Sequence, residues 1–284
     1  MKHTGLLFAF CFLLSMQAIA QEPARRTRQR PGAEKDSSAV SNLTERAKIK
    51  NETESKQPAH IVWERIIYRQ VEVSKAEINA ALYYPVRPQN GRQNLFSLLF
   101  KLVADGKIPA YQYDEIESFT DAYKVNFEEI ILKRLQLLYT KQGDRFVVDE
   151  RDIPSSEVTA YMIKEGYAFD QATGSFKNTV LAICPILIQE DFYGGGAQKT
   201  ALFWVKYDDV RPYLSREMIM TSNYNNAMTY TLDDYFRKNL YVGEILKTVN
   251  MMGQSLAQQA GSDPEALKHA QDSIESQLKT FGKD

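Results

Sequence analysis

Residues 167–188 read YAFDQATGSFKNTVLAICPILI, a turn sequence followed by a long apolar run. Tyr167 to Asp170 and Ser175 to Phe176 flank Ala172-Thr173-Gly174, so a tight hairpin is predicted there. Beyond it, Thr179 to Ile188 and Ala201 to Tyr207 are strongly apolar, rich in Ile, Leu and Phe and carrying Trp204. Gly194-Gly195-Gly196 between them predicts a second hairpin with a long loop. Pro185 has no N–H to give to a ladder, which calls for an edge strand or a bulge at that point.

Working outward, helical spacing replaces the strand runs. Asn94 is placed to cap a helix in which Leu95, Leu98, Leu99 and Leu102 share one face and which stops at Gly106. Phe127, Ile130, Ile131, Leu135 and Leu138 predict a second amphipathic helix, and Ser155 or Ser156 opens a third that ends at Gly166. Thr231 opens another, with Asp233 and Asp234 in its first turn at the positive end of the helix dipole. Ser262-Asp263-Pro264-Glu265 reads as a capping box before Leu267, Ala270, Ile274 and Leu278, a thin apolar stripe suited to packing on the core or on a partner. Trp63, Ile66, Ile67, Tyr68, Val71 and Val73 mark where order begins near Ile61; Arg69 to Val73 reads as extended, while helix and strand both fit the start. The predicted class is α+β, with antiparallel β-hairpins packed against several amphipathic helices.

The two ends differ from this middle. Lys2 and His3 precede an apolar run from Leu6 to Leu14, and Ala18-Ile19-Ala20 follows, which predicts a secretory signal peptide cleaved before Gln21. The run is far shorter than the roughly 20 apolar residues a bilayer-spanning helix needs. Cys11 lies inside it behind Phe10, a poor setting for lipid attachment. Residues 21–58 hold Pro, Ser, Glu, Lys and Arg without aromatics, too little apolar surface to offset ordering entropy, and are expected to form a disordered arm. Arg25, Arg26, Arg28 and Arg30 crowd its start as a solvated charge run or a docking patch. Asn42-Leu43-Thr44 and Asn51-Glu52-Thr53 fit a glycosylation sequon. The expected organisation is therefore a signal peptide at 1–20, the arm at 21–58, an α+β domain at 59–250 and a helical tail at 251–284.

Chemistry-bearing residues are sparse. Lys+Arg number 35 against 36 Asp+Glu, so no charge excess recruits nucleic acid or an anionic membrane. Cys184, the one cysteine left after cleavage, has apolar neighbours and reads as a buried, inert thiol. His60 and His269 stand near no nucleophile or second ligand in sequence and read as solvated. Gly194 to Thr200 ends in Lys-Thr, but Gln198 stands where a phosphate-binding loop needs glycine and a strand follows instead of a helix. Asp149, Glu150 and Asp152, and again Asp208 and Asp209, cluster as caps and turns; a hydrolase would need carboxyls facing each other. No catalytic, cofactor-binding or metal-binding residue is assigned, and no cofactor is expected. Sixteen tyrosines, with Tyr83-Tyr84, Tyr111, Tyr113, Tyr224, Tyr230, Tyr235 and Tyr241 near turns or caps, point to binding surfaces instead.

Several segments taken in order resemble the GldN/PorN family of the gliding motility and type IX secretion machinery of Bacteroidetes. They are Val62-Trp63-Glu64-Arg65 with Tyr68-Arg69, Ala81-Leu82-Tyr83-Tyr84-Pro85-Val86, and Asn94-Leu95-Phe96-Ser97 leading to Gly106-Lys107-Ile108. Asp152-Ile153-Pro154-Ser155, Ala182-Ile183-Cys184-Pro185 and Phe203-Trp204-Val205-Lys206-Tyr207 continue the series, followed by Arg211-Pro212-Tyr213-Leu214 and Asp233-Asp234-Tyr235-Phe236. The matched stretch is roughly residues 60 to 250. The resemblance implies a non-catalytic periplasmic protein, held at the outer membrane by a lipoprotein of the GldK/PorK type with which it builds a ring. It also implies contacts with motor proteins of the GldL and GldM type, indirect membrane association and sequons without meaning. Exposed Tyr and Trp anchors and the arginine-rich arm are the expected contacts. Two other readings are a carboxylate-dependent hydrolase built on Asp149, Glu150 and Asp152, and a monomeric chaperone for secreted cargo.

Overall fold

The run that begins at Ile61 is a strand as far as Glu72, and Val73, expected to be extended, opens a short 3-10 turn instead. The computed structural model describes residues 61–113, 119–132, 135–190, 196–224, 228–261 and 263–281. The signal sequence, the arm with its arginines and sequons, Cys11, His60, Gly194, Gly195 and Ser262 lie outside these residues. In chain order the elements are β1 (Ile61–Glu72), α1 (Leu95–Ala104), β2 (Thr140–Gln142), β3 (Arg145–Val147), β4 (Val158–Asp170) and β5 (Ser175–Glu190). They continue with β6 (Ala197–Ala201), β7 (Val205–Lys206), α2 (Tyr207–Leu214), β8 (Met218–Ile219), β9 (Tyr230–Thr231), α3 (Leu232–Arg237), β10 (Glu244–Thr248), α4 (Leu256–Ala260) and α5 (Pro264–Phe281).

A six-stranded antiparallel sheet in the order β10-β1-β4-β5-β6, with β7 also on β5, makes the frame of an α+β fold. The hairpin expected at Ala172-Thr173-Gly174 joins β4 to β5, with Asp170 opposite Ser175 and Gly174 at φ 60°. The second hairpin also pairs, but its outgoing run splits: β6 lies opposite Ile186 to Glu190, β7 opposite Ala182 and Ile183, and a helix takes over at Tyr207. Pro185 falls in the gap between those two short strands. Its carbonyl accepts from Leu202 N at 3.0 Å, and in an antiparallel strand its ring nitrogen faces the same side, where the ladder is already interrupted. Two bulges flank Pro185: β5 skips Leu181 between Ala182 and Val180, where Leu181 packs over Gly166 of β4, and β4 skips Thr159 opposite Ile186 and Leu187.

The helix expected from Ser155 to Gly166 is instead most of β4. Strands lie on both sides of it and side chains cover both its faces, so its apolar residues show no clean alternation. Ser155 caps nothing; its hydroxyl lies 2.8 Å from that of Ser97 on α1. The helix expected from Phe127 to Leu138 is a single π-type turn, Phe127–Leu132. Gln136 at φ 52° bends the chain out of helical geometry, Leu137 N closes on Leu132 O, and Leu138 ends 82% exposed.

α1, α3 and the body of α5 match expectation, while the capping box expected from Ser262 lies outside the described residues. Asn94 Oδ1 accepts from Ser97 N at 2.7 Å, and every residue of α1 except Lys101 is buried. Thr231 and Asp234 form a reciprocal capping box on α3. α5 is started by Asp263, whose Oδ1 accepts from Glu265 N.

Register places Ile67, Arg69 and Val71 on one sheet face with Tyr161, Ile163, Glu165, Tyr167, Ile183 and Val205. Toward Val71 that face meets α1, α2 and α3 in the main core; toward Ile67 it meets Leu256 of α4 and Ile274 and Leu278 of α5. Each such Leu, Ile or Phe stabilises by about 1.5–3 kcal/mol. The opposite face carries Tyr68, Ala182 and Cys184 under Tyr111 and Trp204.

Candidate functional site

The expected carboxylate cluster is a surface turn. Asp149 Oδ1 accepts from Arg151 N at 2.9 Å, its carbonyl accepts from Asp152 N, and Glu150 pairs with Lys101 of α1. Asp152 lines a polar cleft with Arg151 and Glu157. Asp208 and Asp209 sit in the first turn of α2, where burial raises the Asp209 carboxyl against the pull of Lys206. His269 is exposed and Cys184 fully buried, its thiol 3.5 Å from the Pro185 carbonyl. Among the described residues no group of three or more His, Cys, Asp or Glu is placed to hold a metal ion, and no helix is long and apolar enough to cross a membrane.

A buried polar cluster around Arg69 is not legible in the sequence. Arg69 Nε donates to Glu165 Oε1 at 3.0 Å and its Nη1 donates to Gly243 O at 3.0 Å and to Glu275 of α5. Tyr167 donates its hydroxyl to Glu165 Oε2 at 2.9 Å. Burial opposes the charge on Arg69, but Glu165 and Glu275 more than compensate and hold its proton more tightly than in a free arginine. Burial first, then the charge of Glu165, raises the Tyr167 and Tyr241 hydroxyls. The cluster fills the seam between the main core and the α4–α5 layer, so its carboxylates are completed from inside. Arg211 and Asp233 make a second such pair at 3.1 Å, with the Tyr207 hydroxyl 2.7 Å from Asp233. These are charges that hold elements together, and they were invisible in sequence because the partners stand 96 and 22 positions apart.

The tyrosines divide. Tyr111, Tyr235 and Tyr241 are core residues, and Trp204 is fully buried, so it is no surface anchor. Trp63 is half-buried against Phe176. Tyr84 and Tyr113 are exposed, and Tyr224 is 94% exposed.

Two surface features are built. In the first, Asn250 clamps the turn after β10: its Nδ2 donates to Thr248 O and Gln254 O, and its Oδ1 accepts from Met252 N and Gln254 N. That turn holds Val249, Met251 and Met252 out in solvent. The second is a cleft of about 180 Å³ lined by Glu77, Tyr84, Pro85, Gln89, Arg92 and Met220 with the residues after it to Asn223. Exposed aromatic and methionine side chains on fixed backbone suit contact with another macromolecule.

No curated protein matches this sequence. A family model described as gliding motility associated protein GldN matches residues 56–284, through the tail helix to the last residue, and the chain belongs to that family.

Proposed function

We propose that this GldN-family chain is a non-catalytic structural component of the type IX secretion and gliding machinery. In this reading it sits in the periplasm and forms a ring with an outer-membrane lipoprotein of the GldK/PorK type, which supplies its membrane association. GldL/GldM-type motor proteins are its further contacts. The observation that carries the reading is the family match over residues 56–284. The carboxylates that would serve the hydrolase reading are a turn and an ion pair, and the exposed features that stand out are the Met251–Met252 turn and the cleft with Tyr84. A ring requires two different patches per subunit that meet head to tail with a closing rotation, and fixed surface loops can provide them.

The test is recovery of tagged residues 21–284 from envelope extracts of the native bacterium, followed by mass spectrometry and electron microscopy of the eluate. Annular particles containing a GldK-type lipoprotein are expected. A lone monomer in gentle extracts overturns the reading.

A further inference from the structure

Arg92 is presented by a rigid device. Gln89 and Arg92 exchange two backbone hydrogen bonds of 2.9 Å across Asn90 and Gly91, whose φ values are 52° and 72°, a turn in which both central residues are left-handed. The guanidinium is therefore delivered to the cleft from fixed backbone. There it meets little. Nη1 lies 3.3 Å from Met220 Sδ, a weak acceptor, and Nε is buried with no hydrogen-bond partner among the described residues. Glu77, the one acidic group lining the cleft among the described residues, already accepts from Asn223 N at 3.1 Å and Asn223 Nδ2 at 3.0 Å through Oε1. A positive charge half withdrawn from water and left with a thioether for company is incomplete.

We propose that this cleft is a binding site for an acidic side chain of a protein partner, with Arg92 as its anchor. The guanidinium offers a planar fork that matches a carboxylate, and Gln89, Thr221 and Ser222 line the cleft with further polar groups. Tyr84, 57% exposed, stands on the same cleft and covers the apolar stem of the incoming residue. A monoanion is favoured over a phosphate dianion, because Glu77 repels the second charge. The site does not depend on the ring reading: it is a property of the cleft, whichever protein supplies the carboxylate.

The experiment is an NMR titration of residues 21–284 with a capped pentapeptide, acetyl-Gly-Ser-Asp-Ser-Gly-amide, its Asn counterpart, and inorganic phosphate. The Asp peptide is expected to give saturable shifts at the Arg92 side chain, Met220 and Asn223. The Asn peptide should bind at least about ten-fold more weakly, the loss of one charge-assisted pair. Arg92→Met should abolish the response at Met220 and Asn223, Arg92→Lys should weaken it, and Glu77→Gln should strengthen it; an unchanged spectrum elsewhere shows that each variant is folded. Equal binding of the Asp and Asn peptides, no saturable response, or a response that survives Arg92→Met overturns the proposal. Phosphate binding tighter than the Asp peptide overturns the choice of a carboxylate.

Discussion

Arg69 and Arg92 receive opposite treatment. Arg69 is buried, and two carboxylates and a backbone carbonyl from three different parts of the chain converge on it. Arg92 is half-buried, on a rigid turn, and faces sulfur. A charge that joins elements of a fold must be matched within the fold, since a buried unmatched ion costs several kcal/mol. A charge that the fold leaves unmatched is tolerated where solvent or a partner can finish the job. The difference separates what holds this molecule together from what it offers outward.

The largest effect is expected at the seam. Glu165→Ala leaves Arg69 buried with only the half-exposed Glu275 as a charge partner, at a cost of about 3–5 kcal/mol, read as a lower urea midpoint. The double change Arg69→Met with Glu165→Leu should recover most of that loss; a single-variant cost below about 1 kcal/mol would mean the seam is held by its apolar neighbours alone. Alkaline pH acts there too, alongside the core tyrosines Tyr161, Tyr207 and Tyr235, whose hydroxyls burial also raises. Tyr167 and Tyr241 titrate above the ordinary tyrosine range when folded, so the native state keeps protons that the unfolded chain loses. Their contribution is fully present below about pH 10, the unfolded value, and is lost as pH rises beyond it, by about 1.4 kcal/mol per pH unit for each tyrosine until its folded pKa is reached. Urea unfolding followed between neutral pH and pH 11 checks this: Tyr167→Phe should flatten the decline, and an unchanged slope would remove Tyr167 from the cause.

What is local is legible in the sequence. Asn94 before an apolar run, Thr231 with Asp234, and Ala172-Thr173-Gly174 each place a cap or a turn from a few neighbouring residues, and each is found in the structure. β4 was misread because a strand covered on both faces loses its alternation, and Ser155 with Gly166 then imitates the ends of a helix. β10 was missed because Glu244–Thr248 is short and becomes a strand by pairing with β1, far away in sequence. The same limit hid both arginine sites: Arg69 needs Glu165 and Glu275 beside it, and Arg92 is notable only once the Met220 sulfur is placed beside its guanidinium.

Intermediate effects sharpen each side of the contrast. A Cβ at Gly243 would lie 2.4 Å from Gln70 O, while the Gly243 carbonyl accepts from Arg69. Gly243→Ala should therefore push β10 off β1 at the seam and cost about 1–3 kcal/mol in urea unfolding. On the side of the cleft, Asn94 caps α1 and its Nδ2 donates to Pro85 O and Val86 O at 3.0 Å each. Asn94→Ala should cost about 1–2 kcal/mol and loosen the Pro85 wall, seen as faster exchange of the Ser97 amide, which loses its acceptor.

The smallest effect belongs to Arg92 itself. Arg92→Met removes a guanidinium with no matched acceptor and sets a thioether beside Met220, so urea unfolding should change by no more than about 0.5 kcal/mol. Set against the loss at Glu165, that near-neutrality is what marks the cleft as outward-facing. A cost above about 2 kcal/mol would place Arg92 with Arg69 among the charges the fold depends on, and the contrast between the two arginines would collapse.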